Sequence, residues 1–219
     1  MKNTITHESK IYNMENMSMT LVIIIITALV SIGAFSNEKL RNDLLFWPPA
    51  VNKQHQYYRF ITSGFVHADW GHLLFNMITL YSFGEVMEMF FMLKLNKMGF
   101  LLFYIGGLIF SEIPSYIKHI RNYQYRSLGA SGAVTAVLFS FILMAPWQTL
   151  YVFFFPLPAI VFAILYLSYT AYMSKRGGDH INHSAHLWGA VYGILVTILL
   201  APEALGHFIR QIMNPVFNF

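Results

Sequence analysis

The sequence predicts an all-α membrane protein, a bundle of six transmembrane helices with a first loop at the membrane interface. Of its 219 residues, 56% are hydrophobic and 11% are charged, whereas soluble domains contain about 25% charged and 45–50% apolar residues. The mean hydropathy is +0.51, and the apolar residues gather into segments close to the roughly 20 residues that cross a bilayer as a helix. This composition excludes a disordered chain, a collagen-like chain and an ordinary soluble enzyme.

The first predicted span, residues 16–37, contains no charged side chain. A cleaved signal peptide is the competing interpretation, because two lysines precede the apolar core. Two glutamates dilute this basic region, and no small-residue cleavage motif follows the core. We therefore interpret the segment as a transmembrane helix that follows a short N-terminal tail, residues 1–17.

A polar stretch that also carries aromatic side chains comes next, at residues 36–70. It contains a Trp-Pro-Pro turn at residues 47–49 and the pair Tyr57-Tyr58. Because Trp and Tyr are enriched where the membrane meets water, this composition predicts a loop that lies at the interface.

The second and third predicted spans, residues 71–92 and 98–117, contain acidic side chains. Glu85 and Glu88 lie in the former and Glu112 lies in the latter. Because ionisable groups at membrane depth are costly unless they find partners, we expect these carboxylates to face other parts of the protein.

Further along the chain, a segment of 48 residues, 127–174, contains no Asp, Glu, Lys or Arg. One helix of that length would extend about 72 Å at a rise of 1.5 Å per residue, more than twice the thickness of the hydrocarbon core. The chain must therefore turn back, and Ala145-Pro146-Trp147 is the natural position for the turn.

Three more spans result from this turn. They cover residues 129–145, 158–173 and 184–201, and the apolar, proline-containing connector between the first two is predicted to lie at the interface. The membrane domain is expected at residues 18–203, followed by a short C-terminal tail, residues 204–219.

Charge and cysteine content narrow the function further. The formal net charge is +4 and no basic stripe occurs, so we expect no nucleic-acid partner. The chain has no cysteine, which excludes disulfides, a thiolate nucleophile and a cysteine-ligated zinc site. The pattern predicts no particular oligomeric state.

Polar side chains gather at one end of the even-numbered spans. His72 and Asn76 lie in the first turns of span two, Ser131 in the first turn of span four, and His186 in the first turn of span six. Even-numbered spans run in the same direction, so these four residues share one leaflet. Because unpaired polar groups at this depth cost several kcal/mol, we expect them to face one another.

Small residues favour close contact between spans four and six. Gly129 and Gly132 flank Ser131, and span six carries Gly189 and Gly193 in a small-xxx-small ridge. Close contact would bring the Ser131 hydroxyl to a histidine base, an arrangement that makes serine a nucleophile for acyl transfer. A serine in a glycine-rich apolar helix is more often a packing residue when taken alone, so it is the whole set of polar residues that indicates a site.

These residues resemble the rhomboid intramembrane serine proteases. His67, His72 and Asn76 fit the family's H-x4-H-x3-N, residues 129–132 fit its G-x-S-G, and Ala185-His186 with the following glycines fits its A-H-x2-G-x3-G. The resemblance also includes Phe83-Gly84 with Glu88, similar to a structural F-G-x3-E, and Tyr58-Arg59, similar to an aromatic-Arg pair in the first loop. Order and spacing agree over residues 20–203, and the bare six-helix layout looks like the simplest bacterial type.

The resemblance assigns roles to these positions. It implies that Ser131 is the nucleophile and His186 the general base and acid, without a carboxylate partner, a metal or a cofactor. His72 and Asn76, with the Ser131 backbone N–H, would stabilise the oxyanion. Structural roles near the site fall to the loop histidine, His67, and to three glycines, Gly129, Gly132 and Gly189.

The resemblance also implies the partners and the membrane. The substrates would be transmembrane segments of other proteins, which enter sideways from the lipid bilayer past span five and unwind near small residues. The expected location is a bacterial cytoplasmic (inner) membrane, with the N-terminus in the cytoplasm and the site open to water on the outer face.

Two features depart from the family pattern. Some members have a tyrosine one turn after the serine, stacked on the catalytic histidine, where this chain has Thr135. Lys and Arg are also distributed against the positive-inside rule, with 5 on the predicted inner side and 9 on the outer side. The inner set is Lys2, Lys10, Lys94, Lys97 and Arg210, and the outer set is Lys39, Arg41, Lys53, Arg59, Lys118, Arg121, Arg126, Lys175 and Arg176.

Three alternatives stay open at this point. A catalytically inactive relative would bind membrane proteins without cutting them, although such relatives usually lack the serine or the histidine. A zinc-dependent membrane hydrolase would use imidazole ligands, with candidates at His67, His72, His183 and His186. A transporter would need ionisable residues near the membrane midplane, for which Glu85 and Glu112 are weak candidates.

Overall fold

A computed structural model describes residues 17–96, 98–152, 154–178 and 181–215 of the chain. Nearly all of the predicted N-terminal tail lies outside these residues. The described helices are α1 Met19–Ser36, α2 Glu38–Leu44, α3 Pro48–Gln54, α4 Arg59–Thr62, α5 Trp70–Leu95, α6 Gly99–His119, α7 Ser131–Met144, α8 Ala159–Arg176, α9 His183–Leu200 and α10 Glu203–Met213. One 3-10 turn, Ser63–Phe65, and two short strands, β1 Thr149–Val152 and β2 Phe155–Pro158, complete the description.

A helix occupies each of the six segments that the sequence predicts as spans. Among the described residues, three helices are long and apolar enough to cross a membrane by length and composition, namely α1, α6 and α9. Helix α7 is apolar but has only 14 residues, or about 21 Å at 1.5 Å per residue. The fold is thus a helical membrane bundle in which three spans are supported by these criteria.

Helix α7 lies at the centre of the bundle. Eleven of its 14 residues are buried, and it packs against α5, α6 and α9. Its sequence suits this position, because a helix surrounded by protein is apolar on every side rather than along one stripe. By contrast, α8 lies at the periphery, where only Ala159, Ala163 and Thr170 are buried among its 18 residues.

The first loop, which the sequence predicts to lie at the interface, folds into helices α2, α3 and α4. Its most buried charged residue, Arg59, donates hydrogen bonds to the carbonyl oxygens of Leu45 at 2.6 Å and Asn42 at 2.9 Å. A backbone bridge joins Phe46 to Ser127, just before α7. The loop therefore supports the segment that leads into the candidate nucleophile.

Two of the basic side chains predicted to lie on the outer side make cation–π contacts at this folded loop. The Arg126 guanidinium lies 4.1 Å from the ring centroid of Trp47, and the Lys53 ammonium lies 5.1 Å from that of Tyr123. Such cation–π contacts stabilise a charge without a carboxylate partner. Part of the outer positive charge is thus held within folded structure.

Glu88 fastens the start of α1 to α5. Its carboxylate accepts the Met19 backbone N–H at 2.7 Å and the Thr20 backbone N–H at 2.8 Å. These N–H groups have no partner inside α1, because they lie in its first turn. Gly84 makes room for this contact, since a Cβ there would lie 2.6 Å from the Thr20 Cγ2 atom.

The connector and the C-terminal segment both have regular structure. Strands β1 and β2 pair antiparallel, with Thr149 opposite Pro158, so the predicted interfacial connector is a hairpin. The segment predicted as a C-terminal tail contains most of α10, and the Gln211 side chain of this helix donates to the Met144 carbonyl oxygen at 3.0 Å. That bond supplies a partner to one of the last carbonyl groups of α7.

Candidate active site

A hydrogen bond joins Ser131 to His186, although 55 residues separate them along the chain. Ser131 is the first residue of α7, and His186 lies in the first turn of α9. The His186 Nε2 atom lies 2.7 Å from the Ser131 Oγ atom, the distance of a well-formed hydrogen bond. The structure thus brings together the two side chains that the sequence predicts as nucleophile and base.

Glycines allow α7 and α9 to approach this closely. A Cβ at Gly189 would collide with the carbonyl oxygen of Gly132, and a Cβ at Gly193 would collide with that of Ala136. The Ser140 hydroxyl adds a hydrogen bond to the Gly193 carbonyl oxygen at 3.0 Å. The two small-residue ridges therefore meet backbone to backbone, as small-xxx-small patterns do in membrane helices.

The backbone before Ser131 takes a conformation that requires glycine. Gly129 has a φ of +120°, a region that side chains with a Cβ rarely adopt. A Cβ there would also lie 2.8 Å from the His72 Nε2 atom. Gly129 therefore lets the His72 imidazole pack against the chain just before Ser131, where the N–H groups that begin α7 have no partner inside the helix.

His72 and Asn76 lie on the same side of the first two turns of α5. The Asp69 side chain caps the helix by accepting the His72 backbone N–H at 2.8 Å. The Asn76 Nδ2 atom donates to the His72 carbonyl oxygen at 3.0 Å. An amide nitrogen has two hydrogens, so this bond uses one of the two donors that Asn76 offers.

One cavity of about 630 Å³ is lined by all four predicted site residues, namely His72, Asn76, Ser131 and His186. Its wall also includes Thr135 of α7 and Tyr166 of α8. A volume in this range is typical of sites that bind small molecules or peptide segments. The residues predicted to share one leaflet are thus placed around a common space.

His67 lies behind this cavity and is fully buried. The Ala130 backbone N–H lies 3.3 Å from His67 Nε2, so this nitrogen accepts. His67 Nδ1 then donates to the Ser31 hydroxyl at 2.8 Å, and that hydroxyl donates to the Phe65 carbonyl oxygen at 2.9 Å. This arrangement ties α1, the first loop and the start of α7 together through a neutral imidazole.

The stability of the protein is expected to fall as the pH is lowered from 6.5 towards 3. Burial lowers the pKa of His67 to about 3, His72 adds to this shift and Asp69 opposes it. Below pH 6.5 the unfolded chain binds a proton on this imidazole, whereas the folded chain does not until the pH approaches 3. The contribution of neutral His67 to the free energy of unfolding is therefore complete above pH 6.5 and is lost as the pH falls below it. The full loss would be about 4–5 kcal/mol.

Thermal unfolding in detergent between pH 4 and 8 measures this effect. The variant His67→Gln keeps a neutral side chain and should show a shallower loss of melting temperature on acidification. The exposed residue His207 provides the control, because His207→Gln should leave the slope unchanged. Equal slopes for wild type and His67→Gln would contradict the assignment.

Tyr166 is a site residue that the sequence analysis missed. Its ring lies nearly parallel to the His186 imidazole, at an interplanar angle of 16° and a centroid distance of 6.0 Å. Its hydroxyl lies 3.1 Å from the Thr135 Oγ1 atom. The ring that some relatives place one turn after the serine is thus supplied here from α8, and Thr135 holds it by its hydroxyl.

The sequence contains little that would single out Tyr166. Helix α8 carries tyrosines at 166, 169 and 172, and Tyr169 and Tyr172 are largely exposed. Which of the three reaches the site depends on the rotation of α8 about its axis, and that rotation follows from packing.

The histidines that the structure describes do not converge on a metal site. His183 is buried at the start of α9, edge-on to the His186 ring at a centroid distance of 5.8 Å. Within the described ranges, no three His, Asp or Glu side chains are grouped so that they could hold a metal ion. The zinc alternative therefore finds no ligand cluster in this part of the chain.

Comparison with known proteins shows which family this chain is similar to. A family model described as the rhomboid domain matches residues 54–203. The chain is 36% identical over 154 residues to the RHOMBOID-like protein 12, mitochondrial, of Arabidopsis thaliana, an alignment that covers 63% of this chain and 45% of that protein. It is 29% identical over 144 residues to the putative rhomboid protease YdcA of Bacillus subtilis (strain 168), covering 66% of this chain and 67% of that one.

A yeast relative gives a similar result. The rhomboid protein 1, mitochondrial, of Saccharomyces cerevisiae is 32% identical over 144 residues, or 62% of this chain and 39% of that protein. The chain thus spans less than half of the length of these plant and yeast relatives. The similarity lies in the membrane domain that contains the candidate site.

Proposed function

The chain belongs to the rhomboid family of integral membrane proteins, and from this premise we propose that it is an intramembrane serine endopeptidase. It would cleave transmembrane segments of other membrane proteins. The observation that carries the proposal is the 2.7 Å contact between Ser131 Oγ and His186 Nε2. A serine hydroxyl bonded to an imidazole nitrogen is the arrangement that activates serine as a nucleophile.

The proton transfers follow from this contact. In a neutral imidazole, the nitrogen that accepts the Ser131 hydroxyl carries a lone pair and the other nitrogen carries the proton. As Oγ attacks the scissile carbonyl carbon, the hydroxyl proton passes to His186 Nε2. The imidazolium then gives this proton to the amide nitrogen as the C–N bond breaks. The amine product departs, and an ester remains on Ser131. Water then attacks the ester carbonyl carbon while the same nitrogen takes its proton. That proton passes to Oγ as the ester C–O bond breaks, which releases the acid product and restores the Ser131 hydroxyl and the neutral imidazole.

The oxyanion would form beside the N-terminus of α7. There the Ser131 backbone N–H and the positive end of the helix dipole favour negative charge. His72 and Asn76 line the same cavity and would each supply a further donor. Such donors stabilise a transition state when they are fixed in place before the charge develops, and the contacts of His72 with Gly129 and of Asn76 with the backbone of α5 serve this purpose.

A transmembrane substrate would reach the site between α5 and α8. A second cavity of about 580 Å³ lies between these helices, and Leu138 contributes to its wall and to that of the site cavity. Phe83 of α5 and Phe162 of α8 also line it. Apolar walls suit a lipid-embedded segment, which would unwind near small residues so that its peptide bond becomes accessible to Ser131.

The topology belongs to the same proposal. Six crossing helices would comprise α1, α5, α6, α7, α8 and α9, with the N-terminus in the cytoplasm and the site opening to the outer face of a bacterial inner membrane. In this arrangement α5, α7 and α9 run in a common direction, which is consistent with their first turns all bordering the site cavity.

An inactive, membrane-protein-binding relative is the second candidate. It would keep the fold and the cavity without cleaving the bound segment. The 2.7 Å contact favours the protease, because a binder has no need for a serine and a histidine in hydrogen-bonding geometry.

Covalent labelling by a fluorophosphonate distinguishes the candidates. The purified protein in detergent is expected to react and to carry the adduct on the peptide that contains Ser131, as located by mass spectrometry. Labelling should be unaffected by a chelator, because the proposed chemistry uses no metal. A folded protein that does not react would favour the inactive relative, and a chelator-sensitive hydrolytic activity would favour a metal site.

A further inference from the structure

Glu112 is a buried carboxyl group that the proposed reaction does not use. It lies on α6 with 7% of its surface exposed. The described residues form two ion pairs, Arg41–Glu38 and Lys94–Glu203, and Glu112 belongs to neither. Because a buried carboxylate is costly unless hydrogen bonds replace water, its partners indicate what the residue does.

The carboxyl group of Glu112 contacts two segments that are far apart in the sequence. The Ser127 hydroxyl donates to Oε1 at 2.9 Å. The Asn182 Nδ2 atom donates to Oε2 at 3.0 Å and approaches Oε1 at 3.2 Å. One acidic group on α6 therefore joins the loop before α7 to the loop before α9.

Asn182 passes this restraint on to α9. Its Oδ1 atom accepts the Ala185 backbone N–H at 3.1 Å and so caps the helix. The Ser115 hydroxyl, also on α6, lies 3.1 Å from Asn182 Nδ2. With Nδ2 held by Glu112 and Oδ1 by the helix, the amide has a single orientation, and the start of α9 is fixed relative to α6.

The positions of these partners relate them to the reacting side chains. Ser127 lies four residues before Ser131, and Asn182 lies four residues before His186. The glycine contacts between α7 and α9 set how closely the helices pack, whereas Glu112 restrains the two segments from which these helices begin.

We propose that Glu112 is a positioning residue, which holds the starts of α7 and α9 at the separation that the Ser131–His186 contact requires. This inference rests on the proposed function, because it concerns the geometry of that same pair. Glu112 acts through Ser127 and Asn182, which precede the two reacting side chains in the sequence.

An exchange of hydrogen-bonding partners tests the proposal. Glu112→Gln is nearly isosteric but replaces one of the two oxygens that accept from Asn182 Nδ2 by an amide donor, and Asn182→Asp places two carboxyl groups face to face. Each change is expected to slow fluorophosphonate labelling about 10- to 100-fold, because small displacements of reacting groups have effects of this size. For cleavage, kcat should fall while KM stays near the wild-type value.

The double variant Glu112→Gln/Asn182→Asp restores a donor opposite an acceptor. The introduced glutamine amide is able to donate to the introduced carboxylate, and aspartate is a good helix cap at position 182. We expect the labelling rate of this double variant to return to within about 3-fold of wild type. A residue needed only for general stability would lower the melting temperature of the single variants but leave the labelling rate of the folded protein near that of wild type.

The control is Glu85→Gln, which changes an exposed acid on α5 whose side chain accepts a hydrogen bond from the Ser18 hydroxyl. This variant should label as fast as wild type. Normal labelling by both single variants, or a folded double variant no faster than the slower single variant, would overturn the positioning role. If either single variant fails to fold, Ser127→Ala takes its place as the single variant. Normal labelling by Ser127→Ala, or a folded double variant that labels no faster than Ser127→Ala, would then overturn the positioning role. A wild-type protein that does not label would overturn the proposed function itself.

Discussion

Replacing Ser131 or His186 by alanine is expected to lower the rate of transmembrane-substrate cleavage by roughly 10⁴- to 10⁶-fold. Ser131→Ala removes the attacking oxygen, and His186→Ala removes the nitrogen that takes its proton. Each change deletes one side of the 2.7 Å contact without adding volume, so the melting temperature in detergent should change little. Cleavage in liposomes that contain a single-span substrate measures the effect.

The double variant makes the prediction stricter. Two side chains that act as one unit give non-additive losses, so Ser131→Ala/His186→Ala should be no slower than either single variant. Ser36→Ala and His207→Ala remove the same side chains from exposed positions and should cleave at the wild-type rate. Cleavage by Ser131→Ala above about one per cent of wild type would show that another group is the nucleophile.

Gly189→Ala is expected to disrupt the packing of α7 against α9. The added Cβ would meet the Gly132 carbonyl oxygen, and a backbone atom cannot rotate away as a side chain can. Helices α7 and α9 would have to separate, which costs about 1–3 kcal/mol as overpacking does. Because the same helices carry Ser131 and His186, labelling should also slow about 100-fold.

Gly33→Ala is the matched control. Gly33 also lies inside a helix, but a Cβ there would meet only the Leu40 Cδ2 atom at 3.7 Å, an ordinary contact. Removing a helical glycine then stabilises the protein by about 0.5–1 kcal/mol. A Gly189→Ala protein that melts and labels like Gly33→Ala would contradict the close backbone packing of α7 and α9.

The positions of the long helices could be predicted because each is an apolar segment of nearly fixed length. The family, which the comparisons confirm, followed from polar residues at set spacings. The proximity of Ser131 to His186 was also predictable in outline, since both lie in first turns of helices that run the same way and bear small residues.

Other features depend on contacts between distant segments and carry no local signal. The first loop is polar and aromatic in sequence, but its helices form around Arg59, whose partners lie 14 and 17 residues away. Glu112 looked like a weak candidate for a transport residue until Ser127 and Asn182 appeared beside it. Tyr166 could not be distinguished from the other tyrosines of α8 without the rotation of that helix.

The position of Tyr166 on the peripheral helix α8 has a consequence for the order of events. Displacement of α8 away from α5 would withdraw the ring from His186 and break the bond to Thr135. A closed entrance therefore goes with a restrained imidazole, and an open one with an imidazole that has lost its support. The arriving peptide itself would then have to replace the tyrosine, so that in the open state the imidazole is held in place only while a peptide occupies the site.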